Sequence, residues 1–217
     1  MPQHVFITGG TGYMGSRLIP LLLERGHAVK ALARAGSENR LATGVEKVVA
    51  DPLKMGSYAA RIAPADTFVH LIGVAHPGPA KAKQFREIDF VSAQVAIKAA
   101  GEAGVRHFVY LSVARPAPVM KEYQAVRAEC EASIQATGMA ATFLRPWYVL
   151  GPGHRWPYAL LPMYWICERL PNTRAGALRL GLVTLPQMIR ALAWAVENPP
   201  CEGCQILDVP KIRECVL

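Results

Sequence analysis

ITGGTGYMGSRL, residues 7–18, places Gly9, Gly10, Gly12 and Gly15 within seven positions. Each glycine adds to the conformational entropy lost on folding. Their concentration between an apolar run and a helix-like pattern therefore asks for a reason, and the usual one is a phosphate that must approach the backbone. Two overlapping spacings fit, Gly10-x-Gly12-x-x-Gly15 and Gly9-x-x-Gly12-x-x-Gly15 with Thr8 in front. In both, one glycine makes the tight turn, one admits the pyrophosphate, and one lets the helix pack on the strand. The helix N-terminus then meets the anion with unpaired N–H groups and its dipole. The context is the required one. HVFIT precedes as a short buried strand, and Met14, Leu18, Leu21 and Leu22 recur at helical spacing up to a stop at Gly26. A glycine-rich turn in another α/β fold is the alternative.

Outward from this loop, apolar runs alternate with helical patterns. HAVKALA reads as a second strand, VEKVVA (45–50) as a third and TFVHLI (67–72) as a fourth. MGSYAARIA between the last two reads as a short helix. Phe85, Ile88, Val91 and Val95 mark one face of a long helix ending near Gly101. VRHFVYLSV (105–113) is a fifth strand, 119–137 a helix, and AATFLRP (140–146) a sixth strand. Strands apolar on both faces and separated by helices indicate a parallel sheet covered on both sides. After Pro146 the regularity gives way to Trp, Tyr and Pro. A helix near 185–197 and a strand-like QILDV follow. The expectation is one α/β domain over 1–217, a Rossmann-type doubly wound parallel sheet, with 147–217 forming a small cap at the carboxyl edge.

The bulk properties agree with a packed α/β domain. Hydrophobic residues make up 52% of 217, which argues against disorder. No stretch has the length and apolarity of a membrane span, and the N-terminus shows no signal peptide, so a cytoplasmic location is expected. The formal charge of +8 favours anionic partners or reflects a solvated basic surface. The charges are scattered, without the block that marks a nucleic-acid arm. Five cysteines suggest reduced thiols. CEGC (201–204) has metal-ligand spacing without a second pair; it reads as a turn, and no metal site is expected.

The second and third strands bear on the dinucleotide. An acid about 20 residues beyond the glycines would favour NAD. The segment ALARAGSENR instead offers Arg34, with Ser37 and Arg40 behind it and no acid before Glu38. An arginine pairs bidentately with a 2′-phosphate, so NADP is favoured, with NAD as the alternative and a solvated strand-end cation as the plainer reading of Arg34. Asp51, ending VVAD, either accepts a hydrogen bond from an adenine amino group or caps the segment that begins at Pro52.

TGGTGYMG, VVAD, FVHLIG, AGVRHFVYLSV, EYQAVRAECE and TFLRPWYVLGPG follow one another as in the extended and atypical short-chain dehydrogenase/reductases. The chain is identified as a member of this superfamily over roughly residues 4–200. It most resembles the epimerase/dehydratase-like and NmrA-like NAD(P)-binding proteins. The resemblance implies a sheet order of 3-2-1-4-5-6-7. It also implies cofactor contacts along the glycine loop (Gly9, Thr11, Gly12, Tyr13, Met14, Gly15), at Arg34, Asp51 and Pro52, and after the fourth strand at Ile72, Gly73 and Val74. Tyr123 and Arg127, then Pro146, Trp147 and Tyr148, complete the implied set.

The superfamily's Tyr-x-x-x-Lys pair corresponds to Tyr123 and Arg127. The tyrosine, with an ordinary pKa of about 10, needs a nearby cation to act as a base near neutrality. Arg127 keeps the charge and the donors but cannot relay a proton. The helix-face alternative, two residues one turn apart, is the plainer reading of the pair. The polarising hydroxyl falls on Ser112, or its position aligns one or two residues later with Val113 or Ala114. His76 and His154 stand in loops at the carboxyl edge. Trp156, Tyr158, Tyr164 and Trp165 read as pocket wall or as cap core. The implied function is an NAD(P)-dependent oxidoreductase or epimerase acting on a carbonyl or secondary alcohol of a partly apolar small molecule. The alternative is a non-catalytic NADP(H)-binding sensor or assembly protein with a protein partner.

Overall fold

A computed structural model of the chain describes residues 2–153 and 156–215. His154 lies outside them, and the Trp156 side chain is not described. Strands β1 (His4–Thr8), β2 (Ala28–Ala33), β3 (Glu46–Val49), β4 (Thr67–His70), β5 (His107–Leu111) and β6 (Ala140–Leu144) are followed by β7 (Tyr148–Leu150), β8 (Leu182–Thr184) and β9 (Cys204–Leu207). Seven of them form one parallel sheet in the order β3-β2-β1-β4-β5-β6-β9, the order the resemblance implies with β9 as seventh strand. β7 and β8 pair separately, also in parallel.

The period-2 alternation of each strand divides the core. Val5 and Ile7 of β1 face one layer with Leu18, Ile19 and Leu22 of α1 (Gly15–Glu24). That layer also takes Met188, Ala191 and Leu192 of α7 (Leu185–Glu197) and Val209 and Ile212 of α8 (Val209–Glu214). Phe6 faces the other layer, against α3 (Val91–Glu102) and α4 (Lys121–Ala136). On this face aromatic rings follow the strand register: Phe6 meets Phe68 at 5.2 Å between centroids, and Phe68 meets Phe108 at 5.1 Å.

Three elements differ from the sequence reading. MGSYAARIA forms two 3₁₀ turns, Met55–Ser57 and Ala59–Arg61, rather than a short α-helix. Tyr58 between them is 1% exposed and stacks on Phe6, which draws the chain inward and breaks the helical path. The helix expected from Phe85 begins with α2 (Ala82–Gln84), widens into a π turn over Phe85–Phe90, and becomes regular only in α3. The π turn rotates the buried face. Asp89, Ser92, Ala93, Ala96 and Ile97 point inward while Val91 is exposed. The extra residue is accommodated because the Asp89 carboxylate finds partners inside.

The stretch after Pro146 divides in two. α7 and β9 are integral to the sheet and its covering layer. α7 starts on a capping box between Thr184 and Gln187. α5 (Leu161–Cys167) and α6 (Pro171–Arg179) lie outside those layers, and Met163, Trp165, Ile166 and Leu170 are each at least half exposed. Trp165 and Tyr158 are thus surface residues and not cap core. Cys201 lies on the bend leading to Cys204 at the start of β9, and all five cysteines are free thiols. Among the described residues no helix is long and apolar enough to cross a membrane.

Gly15 holds α1 against β1: a Cβ there would stand 2.4 Å from Gly9 O and 2.6 Å from Gly10 Cα. Gly15→Ala should therefore destabilise the fold by about 1–3 kcal/mol through overpacking, despite alanine's better helix propensity. At Gly12 a Cβ meets only Gly9 O, at 3.1 Å, and Gly12→Ala should leave the urea midpoint near that of the parent. Equal midpoints for both variants would contradict this packing.

Candidate functional site

The glycine loop connects β1 to α1 at the carboxyl edge of the sheet. Gly9 has φ +77°, and a Cβ there would stand 2.9 Å from the Leu71 carbonyl carbon, so glycine is what lets the end of β4 lie beside the loop. The Gly12 amide closes the turn on Gly9 O at 3.0 Å. The Met14 and Gly15 amides donate to no acceptor among the described residues, and the first turn of α1 carries no acid. Unfilled amides at a helix start form a cradle for an anion, and this one fits the pyrophosphate of a dinucleotide. Arg40 leans over the loop and donates to Thr11 O at 3.1 Å. Arg34 is exposed at the end of β2. Asp51 accepts from the Leu53 amide at 3.0 Å, a local turn around Pro52 rather than the cap of an α-helix.

Beside the loop is a cavity of about 460 Å³. Tyr13 and Met14 border it from the loop, Trp147, Tyr148 and Val149 from beyond β6, and Tyr123 from α4. His76, Pro77, Pro79, Val113, Val119 and Met120 complete the wall, which is mainly apolar. Trp147 and Tyr148 meet edge to face at 5.6 Å. Tyr123 leans on Phe85, with ring centroids 5.0 Å apart. Tyr158, Tyr164 and Trp165, read from sequence as pocket wall, are not among these lining residues; Tyr164 and Trp165 border a separate groove beside α5.

Arg127 lies beneath Tyr123, its guanidinium carbon 5.1 Å from the ring centroid. It is 4% exposed. One terminal nitrogen donates to Asp89 Oδ2 at 2.8 Å, the other to Leu111 O at 2.8 Å and to the Tyr110 hydroxyl at 3.2 Å. Asp89 also accepts from the Val74 amide at 2.7 Å. Burial works against the Arg127 charge, yet the Tyr110, Tyr123 and Asp89 oxygens hold its pKa well above the ordinary guanidinium range. Burial pushes the Asp89 carboxyl up, against Arg127 and the Val74 amide. Gly73 roofs the pair: a Cβ there would stand 2.4 Å from an Arg127 nitrogen. The glycine expected to let a cofactor pass thus also makes room for the guanidinium. Ile72, on its other side, lies against Gly9.

Ser112 is not among the residues that line the cavity. It is 3% exposed, its buried hydroxyl meets no hydrogen-bond partner among the described residues, and Val113 stands in the wall instead. A second buried chain runs inward from the loop. Thr8 Oγ1 lies 2.9 Å from His70 Nδ1, and His70 Nε2 lies 3.4 Å from Ser92 Oγ. Burial, with Arg127 adding to it, pushes the His70 pKa down to about 3, so this imidazole is neutral. The sequence reading missed Asp89, His70 and Met120. Asp89 was legible as a lone acid in the apolar run IDFV; Met120, at φ +59°, left no signal.

A family model describing NAD(P)H-binding proteins matches residues 9–155. A ceramide reductase of Caulobacter vibrioides is 28% identical over 151 residues, 69% of this chain and 47% of that protein. A 3-beta-hydroxysteroid dehydrogenase of Mycolicibacterium neoaurum is 30% identical over 113 residues, 49% of this chain and 31% of that protein. The chain thus spans less than half the length of these curated relatives. Among solved structures, the Bordetella bronchiseptica enzyme WbmH in complex with NAD+ superposes with a TM-score of 0.71 at 21% identity, covering 96% of this chain and 76% of that one. A UDP-N-acetylglucosamine 4-epimerase of Bacillus cereus gives 0.71 at 15% identity, covering 95% and 78%. At these identities the structures show a shared fold.

The neutral His70 sets a pH dependence. An unfolded histidine takes up its proton near pH 6.5, and folded His70 resists it to about pH 3. Between these values the unfolded state binds more protons, so stability falls as the pH drops through that window. His107, pushed down to about 4 by burial, acts in the same direction. Each histidine contributes a slope of up to about 1.4 kcal/mol per pH unit. In urea titrations between pH 7 and 4.5, His70→Gln should start less stable and show the smaller slope. Parallel curves for the two proteins would count against a neutral buried His70.

Proposed function

Because the chain belongs to the NAD(P)H-binding family, we propose that it is an oxidoreductase or epimerase that prefers NADP. Its substrate is a partly apolar small molecule with a carbonyl or secondary alcohol. The observation that carries this reading is Tyr123 on the wall of an apolar cavity, over the fixed Arg127 cation and one wall away from the glycine loop. The relatives include a ceramide reductase and a 3-beta-hydroxysteroid dehydrogenase, and an apolar substrate for this chain agrees with both names.

The Met14 and Gly15 amides would hold the pyrophosphate, and Arg34 and Arg40 a 2′-phosphate. Glu38, in the same segment, is the group that would favour NAD. The dinucleotide, when bound, supplies or takes up hydride. Tyr123 gives or accepts the proton at the substrate oxygen, with the Arg127 guanidinium held beneath its ring. Arg127 does not pass that proton on, because a guanidinium effectively never deprotonates and Asp89 and Leu111 engage its terminal nitrogens. Val113 gives the wall a methyl surface where a hydroxyl would assist, so Tyr123 polarises the substrate oxygen without help from Ser112.

NADPH should bind more tightly than NADH in calorimetry, and Arg34→Ala should narrow the gap. Tyr123→Phe should leave cofactor affinity nearly unchanged and cut turnover by roughly 10²-fold or more, the usual worth of a positioned acid or base. Arg127→Lys should retain or raise turnover, since lysine keeps the charge and can relay a proton. A parent protein that holds NADPH tightly, turns over nothing in a broad carbonyl and alcohol panel and stays silent after Arg127→Lys would favour the non-catalytic sensor.

A further inference from the structure

Adjacent residues at the ends of β5 and β6 serve two different hollows. Val113 and Trp147 border the apolar cavity. Ala114 and Arg145 border a second hollow of about 290 Å³, completed by Arg115, Arg179, Ile206, Asp208 and Lys211. Four cations meet there. Two of them are anchored from behind by Glu131, which is 1% exposed. Arg145 Nε donates to Glu131 Oε1 at 2.9 Å, and terminal nitrogens of Arg145 and Arg115 both donate to Oε2. Burial opposes the Glu131 charge, but Arg145 and Arg115 hold its carboxyl below the usual range. Asp208 accepts from the Lys211 amide at 3.2 Å, capping α8. Four cations against these two carboxylates leave a surplus of two positive charges.

Donors are left over as well. Arg115 Nε is buried and meets no acceptor among the described residues. An unsatisfied buried donor is a cost that a ligand oxygen would remove. Arg179 gives Nε to Pro116 O at 3.1 Å, and Lys211 Nζ reaches Ile206 O at 3.2 Å. Each retains further N–H groups at the rim. Guanidinium forks match the geometry of tetrahedral oxyanions, and a surplus of two charges matches a dianion. We propose that this hollow is a binding site for a phosphate dianion, free or as a phosphomonoester. It is separate from the glycine loop and from the apolar cavity. It uses the Arg115 and Arg145 segments that the dinucleotide reading leaves without a role.

The test is calorimetric titration of the intact protein at pH 8 with inorganic phosphate and with glycerol phosphate, against chloride at matched ionic strength. Arg179→Gln and Lys211→Gln lie on the rim and leave Glu131 paired, so both variants should fold. Each should weaken phosphate binding roughly tenfold, the scale of a lost charge-assisted hydrogen bond. Gly12→Val, which disturbs the glycine loop, should leave it unchanged. Binding should weaken toward pH 5.5, where phosphate takes up its second proton. Tighter binding of glycerol phosphate would assign the site to a phosphomonoester, and tighter binding of inorganic phosphate to the free anion; either supports the proposal. Heats no larger than the chloride control, full binding in both rim variants, or loss of binding in Gly12→Val would overturn it.

Discussion

The buried ion pair between Asp89 and Arg127 is the constraint around which the carboxyl edge is assembled. Its atoms meet the π turn, the loop after β4, the end of β5 and α4 within one set of hydrogen bonds. Removing two charges from water is expensive, and breaking such a pair by deleting one partner costs about 3–5 kcal/mol because the other charge is stranded. The geometry around the pair follows from that penalty. The helix widens so that Asp89 points inward, position 73 carries no side chain, and Tyr110 turns its hydroxyl to the guanidinium. Tyr123 then rests on a cation that is fixed in place and in charge.

Much of this was legible in the amino-acid sequence, and the reasons differ by element. The strands were legible because each is an apolar run between turn residues, and the parallel arrangement because helices separate them. The glycine loop was legible because Gly9 and Gly15 have separate steric duties that no other residue performs. The π turn was not legible. The apolar positions Phe85, Ile88, Val91 and Val95 repeat at ordinary helical spacing, and only the long-range demand of Arg127 for a carboxylate overrides them. The two 3₁₀ turns before β4 were hidden for the same kind of reason, since burial of Tyr58 against Phe6 is decided by a strand some fifty residues away. At the site, Tyr123 and Arg127 stood out through the resemblance to the Tyr-x-x-x-Lys pair. Which neighbour of Ser112 would face the cavity was not, because the chain leaves β5 in a direction that depends on the Ala114–Pro146 hydrogen bond.

Val113 and Ala114 show how finely that direction partitions chemistry. One residue apart, they border an apolar chamber and a cationic one. The same holds one strand over, where Arg145 and Trp147 flank Pro146. The edge of β5 and β6 is thus a partition with a greasy face and a charged face. Glu131 stiffens the charged face from beneath through Arg115 and Arg145.

The aromatic row on the α3–α4 face has a consequence for how the chain tolerates change. Tyr58, Phe6, Phe68 and Phe108 touch in sequence across three strands, each ring resting on the next. In an interior packed to crystal-like density, a change of volume at one ring displaces its neighbour. Residues in contact commonly show interaction energies of about 0.5–3 kcal/mol in double-mutant cycles. Substitutions along this row will therefore be epistatic: a smaller side chain at Phe68 alters what Phe6 and Phe108 will accept, and the positions are constrained as a set.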